Sequence, residues 1–398
     1  MFDRLAAQFR NSDVDHRLLI PLLVSTMLVQ MITSLVRVTT SYRAVELNLS
    51  IVWLGLIAAT FAICPILIAV RVGRQIDRGY DAQTTWLGAA IFAVACASFS
   101  FADSPFALLA ASTIMGTGHI MLMASQQMLC VRAAGPRSLE GVFGNYMVAG
   151  AIGQGLGPYV VGWVGGAAAV PPTQLLFIVG AGVAMLSLAV VLTIRPAKRD
   201  KPLGGDGSEV VPVSQILRIP GLVAVVMAGV ILVSSSDIIV IYVPLLGAER
   251  HIDVHAVGLL LTVRALFSMV ARLFYARMVT TFGRWPLMIV STLACGASYA
   301  AIAAPLPLWA MHLTIAVMGF SFGLATTLSI TIVVDLTTVG ARGTTNSLRI
   351  MSNRLGQFVL PFSAGLVAAA AGLAGLFLLL AAAIAAAAGT MAWKRPHE

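Results

Sequence analysis

The sequence predicts an all-α integral membrane protein with twelve transmembrane helices in two pseudo-symmetric six-helix bundles. Three observations predict this fold: the composition, the spacing of the apolar runs and a repeated motif. Hydrophobic residues make up 59% of the 398 residues, charged residues make up 10%, and the mean hydropathy is +0.93. A water-soluble fold cannot bury that much apolar surface, so we expect the chain to lie in a lipid bilayer.

The apolar runs predict the helices. A helix needs about 20 apolar residues to cross the hydrocarbon core of a bilayer. Twelve segments meet this requirement, approximately 18–42, 51–70, 84–101, 106–130, 140–164, 173–194, 217–246, 257–280, 286–303, 308–334, 344–370 and 373–393.

The positive residues predict the orientation. Of the 25 lysines and arginines, 18 lie in the tails and in the loops on one side, whereas only Arg43 and Arg250 lie in the opposite loops. Because positive residues are retained on the cytoplasmic side, we expect both termini to be cytoplasmic and the protein to lie in the inner cell membrane. The net charge of +9 is therefore an insertion signal, and we expect no nucleic-acid partner.

The longest polar segment divides the chain. Residues 195–216 are rich in proline, glycine and mixed charge, which is typical of a flexible linker. We expect an N-terminal bundle over 1–194, a cytoplasmic linker over 195–216 and a C-terminal bundle over 217–398.

A motif repeated 203 residues apart supports the two-bundle reading. The pattern G-Q-x3-P-x3-G-x-V begins at Gly153 and again at Gly356, and an aromatic residue follows each proline. Five matches in one register favour a duplication over coincidence.

The sequence argues against several other functions. The four cysteines lie in apolar runs without metal-ligand spacing, so we expect no metal and no cofactor. No G-x-x-x-x-G-K-[ST] loop is present, which disfavours nucleotide-driven transport. No H-E-x-x-H or other catalytic motif is evident, so we expect no enzyme. A non-transporting membrane sensor stays open as an alternative class.

The spans, the two halves and the central basic loop together resemble the major facilitator superfamily over nearly the whole chain. The segment with Gly73, Asp77 and Arg78 resembles the cytoplasmic G-x-x-x-D-R-x-G-R loop of that family, although Tyr80 and Asp81 replace its later glycine and arginine. A degenerate second copy contains Arg277, Gly283 and Arg284. The resemblance implies transport between two rocking bundles.

The predicted fifth span carries a further resemblance. Its small residues and proline are similar to the glycine-proline motif of the drug/proton antiporter branch of the family; they are Gly150, Gly153, Gly157, Pro158 and Gly162. Because Leu360 replaces the counterpart of Gly157, we expect tight helix contact only in the first half. A purely structural role for the motif stays open.

Embedded charges predict the site, because an ionised residue at mid-bilayer costs roughly 2.5–3.5 kcal/mol unless it has a partner. Asp237 is the one acid well inside a span, and Arg264 reaches a similar depth. We expect the two to pair or to share one substrate; a fixed structural salt bridge is the alternative.

Other polar residues are expected to face the same pocket on the resemblance to the family fold. They are Arg37, His119, Gln154, Asn353, Arg354 and Gln357. Two alternatives stay open: Arg37 reaches the outer head groups instead, and His119 is a buried helix contact rather than a proton carrier.

Charged residues also bracket two equivalent cytoplasmic loops with opposite signs. Arg132 and Glu140 flank one loop, and Asp335 and Arg342 flank the other. We expect bridges between the halves when the inner gate closes; solvated loop charges are the alternative.

We therefore predict a monomeric secondary active transporter that exports a small anionic or carboxylate-bearing solute, coupled to protons or another ion. A broad-range exporter of apolar drugs and a proton-coupled uptake system are the other candidates within transport.

Overall fold

The computed structural model describes residues 14–134, 138–195, 213–337 and 342–394. In these ranges the chain is helical apart from short connections. The long helices are α1 His16–Glu46, α2 Ile51–Asp77, α3 Asp81–Phe99, α4 Pro105–Ala133, α5 Leu139–Gly165, α6 Thr173–Leu192, α7 Leu222–Glu249, α8 Val254–Phe282, α9 Arg284–Ala303, α10 Leu308–Leu336 and the run Arg342–Trp393. A short turn of helix, Val213–Ile216, precedes α7. Gly372 interrupts that run with φ 69°, and we call the parts before and after it α11 and α12. A helix covers each of the twelve predicted spans, which confirms the predicted helices. Most of the predicted linker lies outside the described residues.

Ten of the described helices, counting α11 and α12 as one run, are long and apolar enough to cross a membrane. Large side chains project outward near the helix ends, including Phe106 and Trp309 at one face and Phe282 and Trp393 at the other. Aromatic residues concentrate at both interfaces of a bilayer, so this placement fits a multi-pass membrane protein.

A hydrogen bond between helix ends defines two faces of the molecule. The backbone N–H of Asp15, before α1, donates to the carbonyl of Ala133, at the end of α4, over 2.9 Å. The start of α1 and the end of α4 therefore lie on the same side, which we call the terminal face. The opposite side is the distal face.

The helices pack in two equivalent sets. In the first set α1 packs on α5, and α2 and α3 pack on α4; in the second set α7 packs on α11, and α8 and α9 pack on α10. Adding six to each helix number converts the first set of contacts into the second. This correspondence is what a duplication followed by divergence produces.

The bundles meet closely at the distal face. A Cβ added to Gly258 of α8 would lie 2.6 Å from the carbonyl oxygen of Pro158 and 2.7 Å from the Cα of Gly162, both in α5. The equivalent contact joins α2 and α11, where a Cβ on Gly55 would lie 2.7 Å from the carbonyl oxygen of Pro361. The two copies of the repeated motif thus seal the bundles together through backbone contact.

Backbone hydrogen bonds reinforce this closure. The N–H groups of Val254 and His255 donate to the carbonyls of Ala168 and Gly166, each over 3.0 Å. These bonds join the start of α8 to the connection between α5 and α6, so they cross from one bundle to the other on the distal side.

Two ion pairs at the terminal face each lie within one bundle. Asp81 at the start of α3 pairs with Arg132 at the end of α4, at 2.6 Å. Residues 203 positions later, Arg284 and Asp335 form the equivalent pair in the second bundle with the charges exchanged. The molecule is therefore closed at its distal face, while each bundle secures its own terminal face.

The glycines of α5 have two separate roles. Gly153 and Gly157 face the backbone of α1 at Met27 and Met31, within the first bundle, whereas Gly162 faces the second bundle. The equivalent contact in the second bundle is of a different kind, because a Cβ on Gly356 of α11 would first meet side-chain atoms of Val230 and Ser234 in α7 rather than the backbone of that helix. Close approach to the neighbouring backbone within one bundle is thus found for α5 on α1, the half for which tight contact is expected.

The two arginines that departed from the positive-charge rule stabilise helix ends on the distal side. Arg43 donates to the carbonyl of Ala102 after α3, and Arg250 donates to the carbonyls of Ile302, Ala303 and Ala304 at the end of α9. Cations are favourable at helix C-termini because the last carbonyls lack partners.

The distal seal generates a prediction. Gly258→Val should destabilise the protein by about 1–3 kcal/mol, because the new side chain would meet the backbone of α5 and force the bundles apart. Thermal unfolding of the purified protein measures this effect. Gly182→Val is the matched control, because a Cβ at Gly182 meets nothing within 4 Å. Equal melting temperatures for the two variants would contradict the seal.

Candidate functional site

A cavity of about 250 Å³ lies between the two bundles. Helices α1, α2, α4 and α5 of the first bundle and α7, α8, α10 and α11 of the second contribute side chains to it. A concave site at the interface of repeats, near the middle of the membrane, is where transporters of this architecture hold a solute.

The lining follows the duplication. Most of its residues fall into pairs separated by 203 positions, and both members of each pair face the cavity. The pairs are Gln30 with Val233, Thr33 with Ser236, Ser34 with Asp237, Arg37 with Val240, Phe61 with Arg264, His119 with Phe322 and Gln154 with Gln357. The backbone positions are therefore conserved between the halves while the side-chain chemistry has diverged.

A largely buried ion pair crosses the cavity from one bundle to the other. Arg37 of α1 donates to Oδ1 of Asp237 in α7 at 2.6 Å, and both side chains are 15% exposed. The Nε2 of Gln357 donates to Oδ2 of Asp237 at 2.9 Å, and Arg354 donates to Oε1 of Gln357 at 3.0 Å. Helices α1, α7 and α11 are thereby joined through one carboxylate.

This network corrects one expectation and decides between the two alternatives for Arg37. Asp237 pairs with Arg37 and Gln357, not with Arg264. Arg37 does not extend to the lipid head groups, because its guanidinium binds Asp237 and lies 4.9 Å from the centroid of Phe61. Residue number determines the depth of each residue along its helix but not the direction in which the side chain points.

Arg264 shares the cavity but makes different contacts. Its guanidinium donates to Ser236 at 2.8 Å and lies 5.9 Å from the centroid of Phe322, while Nε has no hydrogen-bond partner among the described residues. Arg264 is only 7% exposed. A buried guanidinium without a carboxylate partner is available to bind an anion.

Sequence reasoning missed Arg272, which also lines the cavity. It follows Arg264 by eight residues, or two helical turns, so it lies on the same face of α8. That spacing was the signal that would have identified it. Phe61 was missed as well, because an aromatic residue in an apolar span carries no signal on its own.

The cavity carries an excess of positive charge. Four arginines line it, Arg37, Arg264, Arg272 and Arg354, and Asp237 is the one carboxylate among the lining residues. The balance of four positive charges and one negative charge is +3 with His119 neutral. Such a wall favours a negatively charged occupant, because charges interact strongly in a poorly solvated site.

The remaining predicted residues divide between the cavity and other places. Gln154 and His119 line the cavity, whereas the Oδ1 of Asn353 is buried without a partner among the described residues and lies outside the lining. The motif residues Gly73, Arg78, Arg277 and Gly283 lie at helix ends on the terminal face. The side chains of Asp77, Glu140 and Arg342 lie outside the described residues.

Comparisons with known proteins agree with this architecture. A family model described as Major Facilitator Superfamily matches residues 22–251 and 225–398. No curated protein matches the sequence.

Solved transporter structures share the fold. A mutant of the nucleoside transporter NupG is 14% identical, with a TM-score of 0.80 over 95% of this chain and 100% of that chain. The D-xylose-proton symporter is 14% identical, with a TM-score of 0.77 over 96% of this chain and 98% of that one. A bacterial homolog of the human lysosomal transporter Spinster, in an inward-facing and occupied conformation, is 16% identical, with a TM-score of 0.73 over 94% of each chain. At these identities the likeness shows the fold alone.

The ion pair generates a prediction. Arg37→Gln and Asp237→Asn should each destabilise the protein by about 3–5 kcal/mol, because each leaves one buried charge uncompensated. The double variant should cost clearly less than the sum, since both charges are then removed. Thermal unfolding of the single and double variants measures this coupling. The matching cycle with Arg264→Gln and Asp237→Asn is the control and should show a smaller coupling; the reverse order would contradict the observed pairing.

Proposed function

The chain belongs to the major facilitator superfamily, and from that premise we propose that it is a proton-coupled secondary transporter of an anionic, carboxylate-bearing solute. The observation that carries this proposal is the cavity wall of four arginines and one carboxylate. The solute's negative group would supply a counter-ion to Arg264 and Arg272, neither of which forms an ion pair within the described ranges. A bidentate contact with a guanidinium is a strong way to hold a carboxylate.

Asp237 is the proposed proton carrier. It is the carboxylate of the cavity wall, and its two oxygens accept from Arg37 in one bundle and from Gln357 in the other. A proton on Asp237 would weaken the attraction to Arg37 and loosen the connection between α1 and α7. Protonation therefore acts on the contact between the bundles as well as on the solute site.

The charge of the solute fixes the sign of the coupling. Protonating Asp237 removes one negative charge from the wall, so an anion binds more tightly to the protonated protein. At ~6–8 Å, with an effective dielectric constant of about 20, one charge changes the binding free energy by about 2–3 kcal/mol. By reciprocity the anion strengthens proton binding by the same amount. Anion and proton then move together, which gives uptake when the proton gradient points inward.

Export in exchange for protons is the second candidate. It is favoured by the α5 pattern of Gly150, Gly153, Gly157 and Pro158, in which Gly153 and Gly157 make the close contact with α1. Exchange requires proton and solute to compete for the site. Asp237 would supply such competition for a cationic solute, whereas the arginine excess favours an anion. The electrostatics therefore support co-transport over exchange.

The excess of lysine and arginine in the tails and loops on the terminal side supports the assignment of that face to the cytoplasm. With that orientation, the distal seal closes the outer side, and the described conformation is one that exchanges solute with the cytoplasm. We propose that residues 1–194 and 217–398 form the two units, that 195–216 joins them, and that the transporter is a monomer in the inner membrane.

The exchanged charges at the terminal face support a gate for the opposite conformation. When the terminal ends approach, the pseudo-twofold axis would bring Arg132 near Asp335, its counterpart of opposite sign. Each residue would then trade its partner within the bundle for one across the axis. Bridges involving Glu140 and Arg342, expected from the sequence, belong to the same gate.

Coupling through Asp237 is testable. Asp237→Asn should abolish accumulation driven by a pH gradient in reconstituted vesicles while downhill flux continues, because the proton site is lost and the arginines remain. Solute for the assay is chosen by thermal stabilisation of the purified protein across a panel of carboxylates. Glu249→Gln, an exposed acid at the end of α7, is the control. Gradient-driven accumulation by Asp237→Asn would remove Asp237 from the coupling, and the direction of solute relative to protons in the wild type distinguishes co-transport from exchange.

A charge exchange tests the gate. The double variant Asp81→Arg and Arg132→Asp keeps an ion pair within the first bundle but places like charges across the axis. Solute flux should therefore fall at least about tenfold, the equivalent of ~1.4 kcal/mol. Adding Arg284→Asp with Asp335→Arg restores opposite signs and should restore flux. Vesicle flux and melting temperature are measured for both sets. Normal flux in the first swap at an unchanged melting temperature would contradict the gate.

A further inference from the structure

The two walls of the cavity differ in one pair of equivalent positions. In the second bundle, Arg264 lies against the ring of Phe322. Their counterparts 203 positions earlier, Phe61 and His119, also lie together, with ring centroids 5.2 Å apart. Each wall therefore keeps one aromatic ring and pairs it with a different polar group: a guanidinium in one bundle and an imidazole in the other.

His119 is an unusual buried group. It is 7% exposed and lines the cavity, yet neither ring nitrogen has a hydrogen-bond partner among the described residues. A buried polar group without a hydrogen-bond partner destabilises the folded protein, so its presence calls for an explanation. A ligand that supplies the missing partners when it binds provides one.

The surroundings favour a neutral imidazole. The first-bundle wall around His119 contains Phe61, Gln30 and Met123, and the Nε2 of Gln30 donates to the sulfur of Met123 at 3.6 Å. Arg37, the cation on that wall, is bound by Asp237. A second cation beside it would be unfavourable, because His119 contacts two aromatic rings and no carboxylate among the described residues. A neutral imidazole offers one donor and one acceptor.

We propose that Phe61 and His119 form an uncharged recognition subsite, so that the solute carries a neutral ring with a hydroxyl or similar hydrogen-bonding group opposite its carboxylate. This rests on the proposed function for the carboxylate end. Arg264 with Phe322 holds the negative group, and His119 with Phe61 selects the neutral end. His119 is thus a specificity-determining residue and not a proton carrier.

Two matched ligand pairs test the subsite by titration of the full-length protein in detergent. Benzoate is compared with 4-hydroxybenzoate, and cyclohexanecarboxylate with quinate, because each pair shares a ring and a carboxylate and differs in hydroxyls. The wild type should bind the hydroxylated member of at least one pair about tenfold more tightly, since only that member satisfies His119. His119→Phe, which places the residue of the second bundle in the first, should remove this preference, so that the two members of a pair bind with similar affinity.

Two further variants separate the possible failures. His119→Gln keeps a donor and an acceptor and should retain part of the preference, whereas Arg264→Gln should weaken both members of a pair by the same factor. Binding of the acids with no preference, or a preference that survives in His119→Phe, would overturn the subsite and leave the anion site intact. Failure of all four acids to bind would overturn the anion site and the subsite together.

Discussion

The rest of the structure depends on the buried pair between Arg37 and Asp237. Two charges in the hydrocarbon layer are tolerated only when they neutralise each other and find further hydrogen bonds. Gln357 supplies one of these bonds and connects the pair to Arg354. Because the partners belong to different bundles, any change in the charge of Asp237 alters a contact between the moving units.

The duplication explains how such a site arose from a repeated packing scheme. Close backbone contact is kept in both halves, through Gly162 with Gly258 and Gly55 with Gly365. Charges are not kept: Asp81 and Arg132 in one half become Arg284 and Asp335 in the other. Packing tolerates few substitutions where backbones touch, whereas side chains that point into water or a cavity are free to diverge.

The sequence predicted the spans well and the contacts less well, for a physical reason. Twenty apolar residues cross a bilayer whatever surrounds them, and even the break between α11 and α12 at Gly372 falls between the predicted spans. Depth along a helix follows from residue number, which correctly places Asp237 at the level of Arg264. The choice between Arg37 and Arg264 depends on how each helix is rotated, which tertiary packing decides. His119 and Phe61 lie together because α2 and α4 pack side by side, and neither helix alone indicates that contact.

The proposed anion site and the proposed subsite for the uncharged group belong to different bundles, which has a consequence for alternating access. Arg264 and Phe322 move with the second bundle, while Phe61 and His119 move with the first. A solute that contacts only one bundle gives no free-energy difference between arrangements of the two. One that spans both is bound best when the walls stand at a particular separation, so its binding free energy acts on the rocking equilibrium itself. Separating the two recognition groups thereby makes selectivity and movement parts of the same equilibrium.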